Sequence, residues 1–332
     1  MPSKTAARSA KPPRSIDRPS ERGGFVVKEH ARLVVLFRLP HVEIAPHLEA
    51  LVERALEVAG NRDLAYPRPS GDWLDPKPRP KIMSHVRAVA KATSNATMSL
   101  SSLDDADSFA LEYRAYLPVW IAGRAKGRPG LPEPRRGKAS HMSVTFPREL
   151  LYERTDAMVG WMASLLGLVP FSAATLGLSL EGHYADQYRL GLEHLALDIS
   201  DVGCVTDDVG DDLHGVAWLT ALGPKLVERL GGRAALARDL GSVAEVGEAA
   251  GGALVRLGPH PVRGTTEPEL APYRAVAHRL GPALHVPRET SYFTCAFDDG
   301  SGKYADRDHA MQEAWHRRLV MSRGELARVF RP

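Results

Sequence analysis

The clearest candidates for chemistry are two pairs of aspartates, Asp207-Asp208 and Asp211-Asp212, which match the pattern DDxxD. In enzymes with this pattern, carboxylates on one helix face collect magnesium, and hard cations of this kind prefer oxygen ligands. Gly210 lies between the pairs and favours a loop over a helix. The spacing also differs from that of a calcium-binding EF-hand loop, which needs acids at alternate positions and a terminal glutamate. We therefore expect no metal here, and a divalent-metal-dependent enzyme using this cluster remains the alternative function.

The aspartates belong to a longer acidic stretch, defined here as residues 181–215. It holds nine acids and one base, a net charge of −8, in a chain whose total is +3. A cluster of like charges this dense destabilises the fold unless it is solvated or faces a positive partner. We therefore predict a solvated or partner-facing loop, and the sequence offers as binding candidates Asp201, Asp207, Asp208, Asp211 and Asp212.

Two nearby patterns approach known catalytic arrangements without completing them. Ser179 lies in a near match to the nucleophile motif GxSxG, but Glu181 replaces the second glycine, which the tight turn requires. Ser179 therefore fits better as a strand residue. His194 and Asp198, four residues apart, could act as a base and its orienting group on one helical turn, although such pairs are more often structural. The sequence contains no Walker loop, HExxH or CxxC motif, and we expect a protein that is not an enzyme and has no cofactor.

Composition is that of a globular protein, with 332 residues, 44% hydrophobic and 25% charged. Residues 1–24 hold six bases, two acids and few large apolar groups, and they predict a disordered basic tail. The chain's positive charge is partly local to this tail, which lacks the aromatic residues usual in nucleic-acid-binding arms. We therefore expect no nucleic-acid partner, although a binding module led by the tail is the second alternative.

Residues 157–180 carry no charge over a length that could span a bilayer. Pro170 interrupts them, however, and Leu176, Leu178 and Leu180 then alternate with small residues. A buried helix followed by a buried strand is the better prediction, and we expect no membrane association. The chain shows no secretory signal and only two cysteines, which predicts a cytoplasmic protein.

The remaining periodicity predicts a mixture of strands and helices without strict alternation. His141, Ser143 and Thr145 alternate with apolar residues and predict a strand over 140–146 that is polar on one face. Other strands are predicted at 32–39, 109–117, 176–180, 215–222, 243–246, 253–257 and 292–297, and helices at 44–59, 82–93, 151–165, 224–230, 234–240, 270–280 and 306–320. This order favours an α+β fold, with mixed, largely antiparallel sheets covered by helices, in one compact unit or two closely packed halves.

The second half of the chain contains a series of motifs in a fixed order, namely LEHLALDISD, HGVAWLTALGPKLVERLGG, GGALVRLGPHPVRGTT, PYRAVAHRLGPAL and AWHRRL. Their characteristic residues include His194, Asp198, Gly215, Trp218, Gly223, Gly231, Gly232, Pro272, Tyr273 and Trp315. In these motifs and their spacing the chain resembles the type VI secretion immunity family (TsiV-like). Residues 140–320 share the resemblance well, and residues 30–140 share only the general layout.

The resemblance implies an immunity protein that binds and neutralises a cognate type VI effector encoded nearby, of the nuclease type and acting in the cytoplasm. It also implies an immunity domain over residues 25–325, and any two subdomains of it would meet in the acidic stretch. An acidic surface suits a nuclease because the nuclease's own nucleic-acid site must be positive.

Overall fold

The computed structural model describes most of the chain. The described ranges are 11–19, 26–60, 62–66, 76–93, 96–102, 109–116, 139–181, 184–199, 209–285 and 305–330. The predicted strand over 292–297 lies outside them.

One antiparallel sheet forms the centre of the fold. Its strands are β1 Arg18–Pro19, β2 Val26–Phe37, β3 Leu64–Ala65, β4 Ala96–Ser102, β5 Ala110–Ala115, β6 Ser140–Phe146, β7 Ala173–Glu181, β8 Leu219–Leu222, β9 Glu245–Ala249 and β10 Gly252–Arg256. Nine of them follow the order β3-β4-β5-β6-β2-β7-β8-β10-β9, and β1 pairs with the start of β2. Because β7 pairs with both β2 and β8, the sheet runs without interruption from the first half of the chain into the second.

Eleven α-helices fall within the described residues. They are α1 His41–Ile44, α2 Leu48–Ala55, α3 Arg79–Ala90, α4 Glu149–Glu153, α5 Thr155–Leu166, α6 Tyr184–Glu193, α7 Pro224–Arg229, α8 Arg233–Leu240, α9 Glu267–Leu280, α10 Ala305–His316 and α11 Arg323–Val329. None of the helices that could be searched is long and apolar enough to cross a membrane. The predicted α+β class is confirmed.

The sheet has an apolar face and a polar face. Along β6, Met142, Val144 and Phe146 lie on one side, and the residues between them are polar, as the alternation predicts. The indole ring of Trp161 in α5 packs edge-on against Phe146, with ring centroids 5.6 Å apart, and its Nε1 donates to the carbonyl of Arg54 in α2. The apolar face is therefore the one that helices α2 and α5 cover.

Residues 11–19 contact the domain where composition predicts a disordered tail. Arg148 Nη2 donates to the carbonyl of Pro13 at 2.7 Å, and Arg263 donates to the carbonyl of Arg14. Both guanidiniums also pair with Glu29, whose side chain is fully buried. Composition measures side-chain hydrophobicity, whereas main-chain carbonyls make these contacts, and this is why the prediction missed them. Residues 1–10 and 20–24 of the predicted tail lie outside the described residues.

The apolar run around Pro170 is divided as predicted. Helix α5 ends at Leu166, and β7 begins at Ala173, so two buried elements share the run. The helix predicted over 224–230 is α7, which begins at Pro224 and ends at Arg229, just before the glycine pair 231–232. Sequence periodicity did not predict β3, β4 or α11, and α6 lies within the acidic stretch, where we predicted a loop.

Candidate functional site

The second half of the acidic stretch contains the acidic loop, defined here as residues 199–213, and the residue before this loop is attached to the sheet. Beyond the point where β8 stops pairing with β7, Asp198 takes the position beside Ser179 in a parallel bridge. The amide of Asp198 donates to the carbonyl of Leu178 at 2.9 Å, and its carbonyl accepts from the amide of Leu180 at 3.0 Å. The chain that leads into the acidic loop is therefore held by main-chain hydrogen bonds.

The Asp198 carboxylate is held over the polar face of the sheet. Arg32 of β2 places Nη2 2.7 Å from Asp198 Oδ2, and His214 Nε2 lies 3.8 Å from the same oxygen. Burial alone would raise the pKa of Asp198, but the Arg32 guanidinium and His214 outweigh it and hold the pKa well below its usual value. Asp198 is therefore a charged member of a structural ion pair.

The C-terminal end of the stretch returns to the same place. His214 Nε2 lies 3.3 Å from Thr175 Oγ1 on β7, and the His214 carbonyl lies 3.3 Å from His316 Nδ1. Burial first, and then the positive field of His285 and neighbouring groups, lowers the pKa of His316 to about 3. The main chain at Leu213 exchanges two hydrogen bonds of 2.8 Å with residues 283 and 285. Both ends of the acidic loop therefore meet over β7.

Arg318 fixes the segment that precedes Asp198. Its guanidinium is buried and donates to the carbonyls of Leu195 and Leu197 at 2.9 and 3.2 Å. It also lies 4.4 Å from the ring centroid of Trp315, a distance typical of a cation–π contact. Arg318 thus donates hydrogen bonds to two main-chain carbonyls that lie outside helices and strands.

The two described loop aspartates have partners within the chain. Arg38 Nε lies 2.9 Å from Asp211 Oδ1, and Arg229 Nη2 lies 2.8 Å from Asp212 Oδ1. The carboxylate side chains are 42% and 30% exposed, so they remain accessible to solvent. The other three binding candidates, Asp201, Asp207 and Asp208, lie outside the described residues.

The described part of the chain contains no group of three or more His, Cys, Asp or Glu residues that could hold a metal ion. Asp207 and Asp208 fall outside that search. Asp211 and Asp212, which the alternative function would also require, pair with arginines. The geometry of the described carboxylates is therefore that of ion pairs.

The catalytic arrangements considered from the sequence are not assembled. Ser179 is fully buried within β7, where a strand residue was predicted, and no sharp turn exposes it. His194 Nδ1 lies 2.8 Å from Thr265 Oγ1, whereas Asp198 pairs with Arg32. His194 and Asp198 thus have different partners, and both act in packing.

The other residues that carry the family resemblance have structural roles or structural positions. Trp218 and Trp315 are fully buried, and Tyr273 nearly so. A Cβ at Gly223 would collide with the Phe171 carbonyl, so glycine is required there. Gly231 and Gly232 have positive φ angles of 88° and 91°, which favour glycine, and they lie where the chain turns from α7 to α8. Pro272 lies within α9. Gly215 has open space around it.

Sequence reasoning missed the arginines that hold the acidic stretch. Arg32 carried the best available signal, because it is charged and begins the apolar run LVVLF of β2. Arg38 and Arg229 carried no such signal, since exposed arginines are common and their partners are distant in sequence. The described site is therefore an acidic stretch whose ends are fixed by basic residues from other elements.

The fold and this site define the class of protein: it is an α+β protein in which the described acids of the site form structural and surface ion pairs. The family profile TsiV, described as type VI immunity for VRR-NUC, matches residues 78–319. This match spans well over half of the chain, and the chain belongs to this family of type VI immunity proteins.

A solved structure supports the fold. The Pseudomonas aeruginosa T6SS protein PA0821 is similar, with a TM-score of 0.69 and 13% sequence identity, over 95% of this chain and 90% of that one. At this identity the likeness concerns the fold alone. No curated protein sequence matches the chain.

Proposed function

We propose that this protein neutralises a VRR-NUC effector of a type VI secretion system by binding it and blocking its active surface, without catalysing a reaction and without a cofactor. The observation that carries the proposal is the family match over residues 78–319. The proposal also places residues 25–325 in one immunity domain, with any subdomain boundary in the acidic stretch. Its site of action is the cytoplasm, and its partner is encoded nearby.

The acidic stretch is the proposed contact surface, through Asp201, Asp207, Asp208, Asp211 and Asp212. A protein that acts on nucleic acid needs a positive surface, which a cluster of carboxylates would attract and cover. Complementary charge speeds association, and speed matters for an inhibitor that must act before damage occurs. The partial exposure of Asp211 and Asp212 supports this role, because their negative charge reaches solvent despite the arginines beside them.

Survival and binding test the proposal together. The chain is co-expressed with the VRR-NUC protein encoded beside it in a sensitive host, survival is scored, and the pair is purified at moderate salt. We expect rescue and a stable complex of defined stoichiometry. Death of the host with no complex would contradict neutralisation of that effector.

Charge reversal then tests the contact surface. Asp211→Lys with Asp212→Lys should slow association by about tenfold or more at low salt, because steering depends on complementary charge. The matched control is Glu53→Lys with Glu245→Lys, which reverses two exposed acids on other elements. Equal association rates for both variants would show that the acidic stretch is not the contact.

A further inference from the structure

Helix α3 presents a second charged surface, of opposite sign. Its buried side consists of Ile82, Met83, Val86 and Val89, which pack into the core. The opposite side carries Lys81, Ser84, His85 and Ala88 at helical spacing. Lys91 directly follows the last residue of the helix, and Arg79 is exposed in the first turn, on another side of the axis from Lys81. We use the name basic face of α3 for the surface formed by Lys81, Ser84, His85, Ala88 and Lys91 together with Arg79 at its N-terminal end.

The positive charge of the basic face is not neutralised by the described part of the chain. Residues 76–93 contain no acid. Within the described residues, no ion pair joins Arg79, Lys81 or Lys91 to a carboxylate, and all three are exposed. Arg87, on the flank of α3, does pair with Glu49 of α2. Arg38 and Arg229 each pair with an aspartate, whereas these three cations pair with no carboxylate of the described residues.

An aromatic stack lies beside these cations. The rings of Tyr66 and His85 are parallel within 4°, with centroids 4.2 Å apart, and both residues are half-buried. Burial lowers the pKa of His85, so the ring is neutral at pH 7. Aromatic rings beside cations are typical of surfaces that bind single-stranded nucleic acid, where the cations follow the backbone.

The spacing along α3 also suits a polyanion. Lys81 and Lys91 are ten residues apart, which is about 15 Å along a helix. This length is comparable with the ~12 Å width of the major groove of a DNA duplex. Ser84 and Ala88 have short side chains, so a backbone of phosphates can approach the helix between the two lysines.

We propose that the basic face of α3 binds the phosphate backbone of nucleic acid without sequence preference. The exposed cations, which pair with no carboxylate among the described residues, carry the proposal, and the neighbouring Tyr66–His85 stack favours nucleic acid over an acidic protein. The composition of the chain led us to expect no nucleic-acid partner, because much of the excess positive charge lies in the N-terminal tail. Composition does not show how the bases of α3 are distributed around the helix. The inference is independent of effector binding.

Fluorescence anisotropy with a short labelled DNA duplex of mixed sequence tests the proposal. Three phosphate contacts predict a slope of about −2.7 in a plot of log K against log salt, which is an affinity loss of about 40-fold between 50 and 200 mM salt. The variant Arg79→Gln/Lys81→Gln/Lys91→Gln should lose most of this binding, and its slope should move toward zero by about 2.7.

The matched control is Arg154→Gln/Lys225→Gln/Arg328→Gln, which removes three exposed bases from other elements and should leave binding close to wild type. Thermal unfolding of all three proteins checks that the fold is retained. No binding at low salt, or equal binding by both triple variants, would overturn the proposal, the latter because bases outside α3 would then be responsible. Binding of poly-glutamate but not of DNA would also overturn it, in favour of an acidic protein partner.

Discussion

Asp198 and Asp212 lie fourteen positions apart in one acidic stretch, yet their surroundings differ. Asp198 is mostly buried over the sheet, where Arg32 and His214 approach the same carboxylate oxygen. Asp212 lies at the surface, and a partly exposed arginine, Arg229, accompanies it. Both aspartates pair with an arginine at less than 3 Å, so the distance does not distinguish them. The two carboxylates differ instead in their exposure to solvent.

Burial determines what each pair contributes. In a buried pair, loss of one partner leaves a desolvated charge, which is far more costly than loss of a partner at the surface. At the surface, water screens the charge, and the pair adds little to stability. We infer that Asp198 has a structural role in the acidic stretch and that Asp211 and Asp212 are accessible, and the following predictions test this division.

The largest effect is expected at the buried pair. Arg32→Met should lower the free energy of unfolding by about 3–5 kcal/mol, because Asp198 would remain buried without its guanidinium. Urea unfolding at pH 7 measures this. If Arg32→Lys destabilises the protein much less than Arg32→Met, the effect is due to charge. A loss below about 1 kcal/mol for Arg32→Met would instead show that solvent reaches Asp198 freely.

Acid titration should then distinguish Asp198 from the surface acids. The pKa of Asp198 is lower in the folded state than in the unfolded state. Its carboxylate therefore adds to the free energy of unfolding above about pH 4, and this stabilisation is lost as pH falls through the folded pKa. Asp198→Asn should therefore flatten the acidic limb of stability against pH. An acidic limb as steep as that of wild type would contradict this assignment.

His316 should impose a pH dependence of its own. Its pKa is about 3 in the folded state, against about 6.5 when unfolded, so the unfolded state binds the extra proton between these values. Stability should fall as pH drops below about 6.5, by at most about 1.4 kcal/mol per pH unit. Curves of unfolding free energy against pH are compared for the wild type and His316→Gln, and their difference is the contribution of His316. Parallel curves would show that His316 does not cause the pH dependence.

The smallest effect is expected at the surface pairs. Arg38→Met and Arg229→Met should each change stability by about 0.2–1 kcal/mol, and the change should shrink further in high salt. Urea unfolding at low and high salt measures both. A salt-independent loss as large as that of Arg32→Met would remove the distinction between the two parts of the stretch.

Local patterns predicted much of the fold. The alternation in residues 140–146 predicted β6 with its observed bounds, since a strand with one buried face must place apolar residues at every second position. Pro170 predicted the division between α5 and β7. The extended start of β2 was missed, because Glu29 and His30 are polar residues that are buried only through partners from other elements.

One of the elements that we did not predict has a recognisable signal in the sequence. Helix α11 begins after Ser322, whose side chain caps the amide of Glu325, while the Glu325 carboxylate accepts from the Ser322 amide. This serine–glutamate spacing is the signature of a capping box. The short strand β4 had a weaker signal, because Met98 and Leu100 alternate with small polar residues over only seven positions.

The sequence alone determined the family resemblance, the α+β class and the existence of a dense acidic stretch, because each follows from composition or from short-range order along the chain. Only the tertiary structure decided which acids are structural. Arg32, Arg38 and Arg229 come from different elements, and no local pattern links them to residues 198–212. Sequence specifies charge, whereas the electrostatic consequence of a charge depends on burial and on its partner, and both are set by the packing of distant segments.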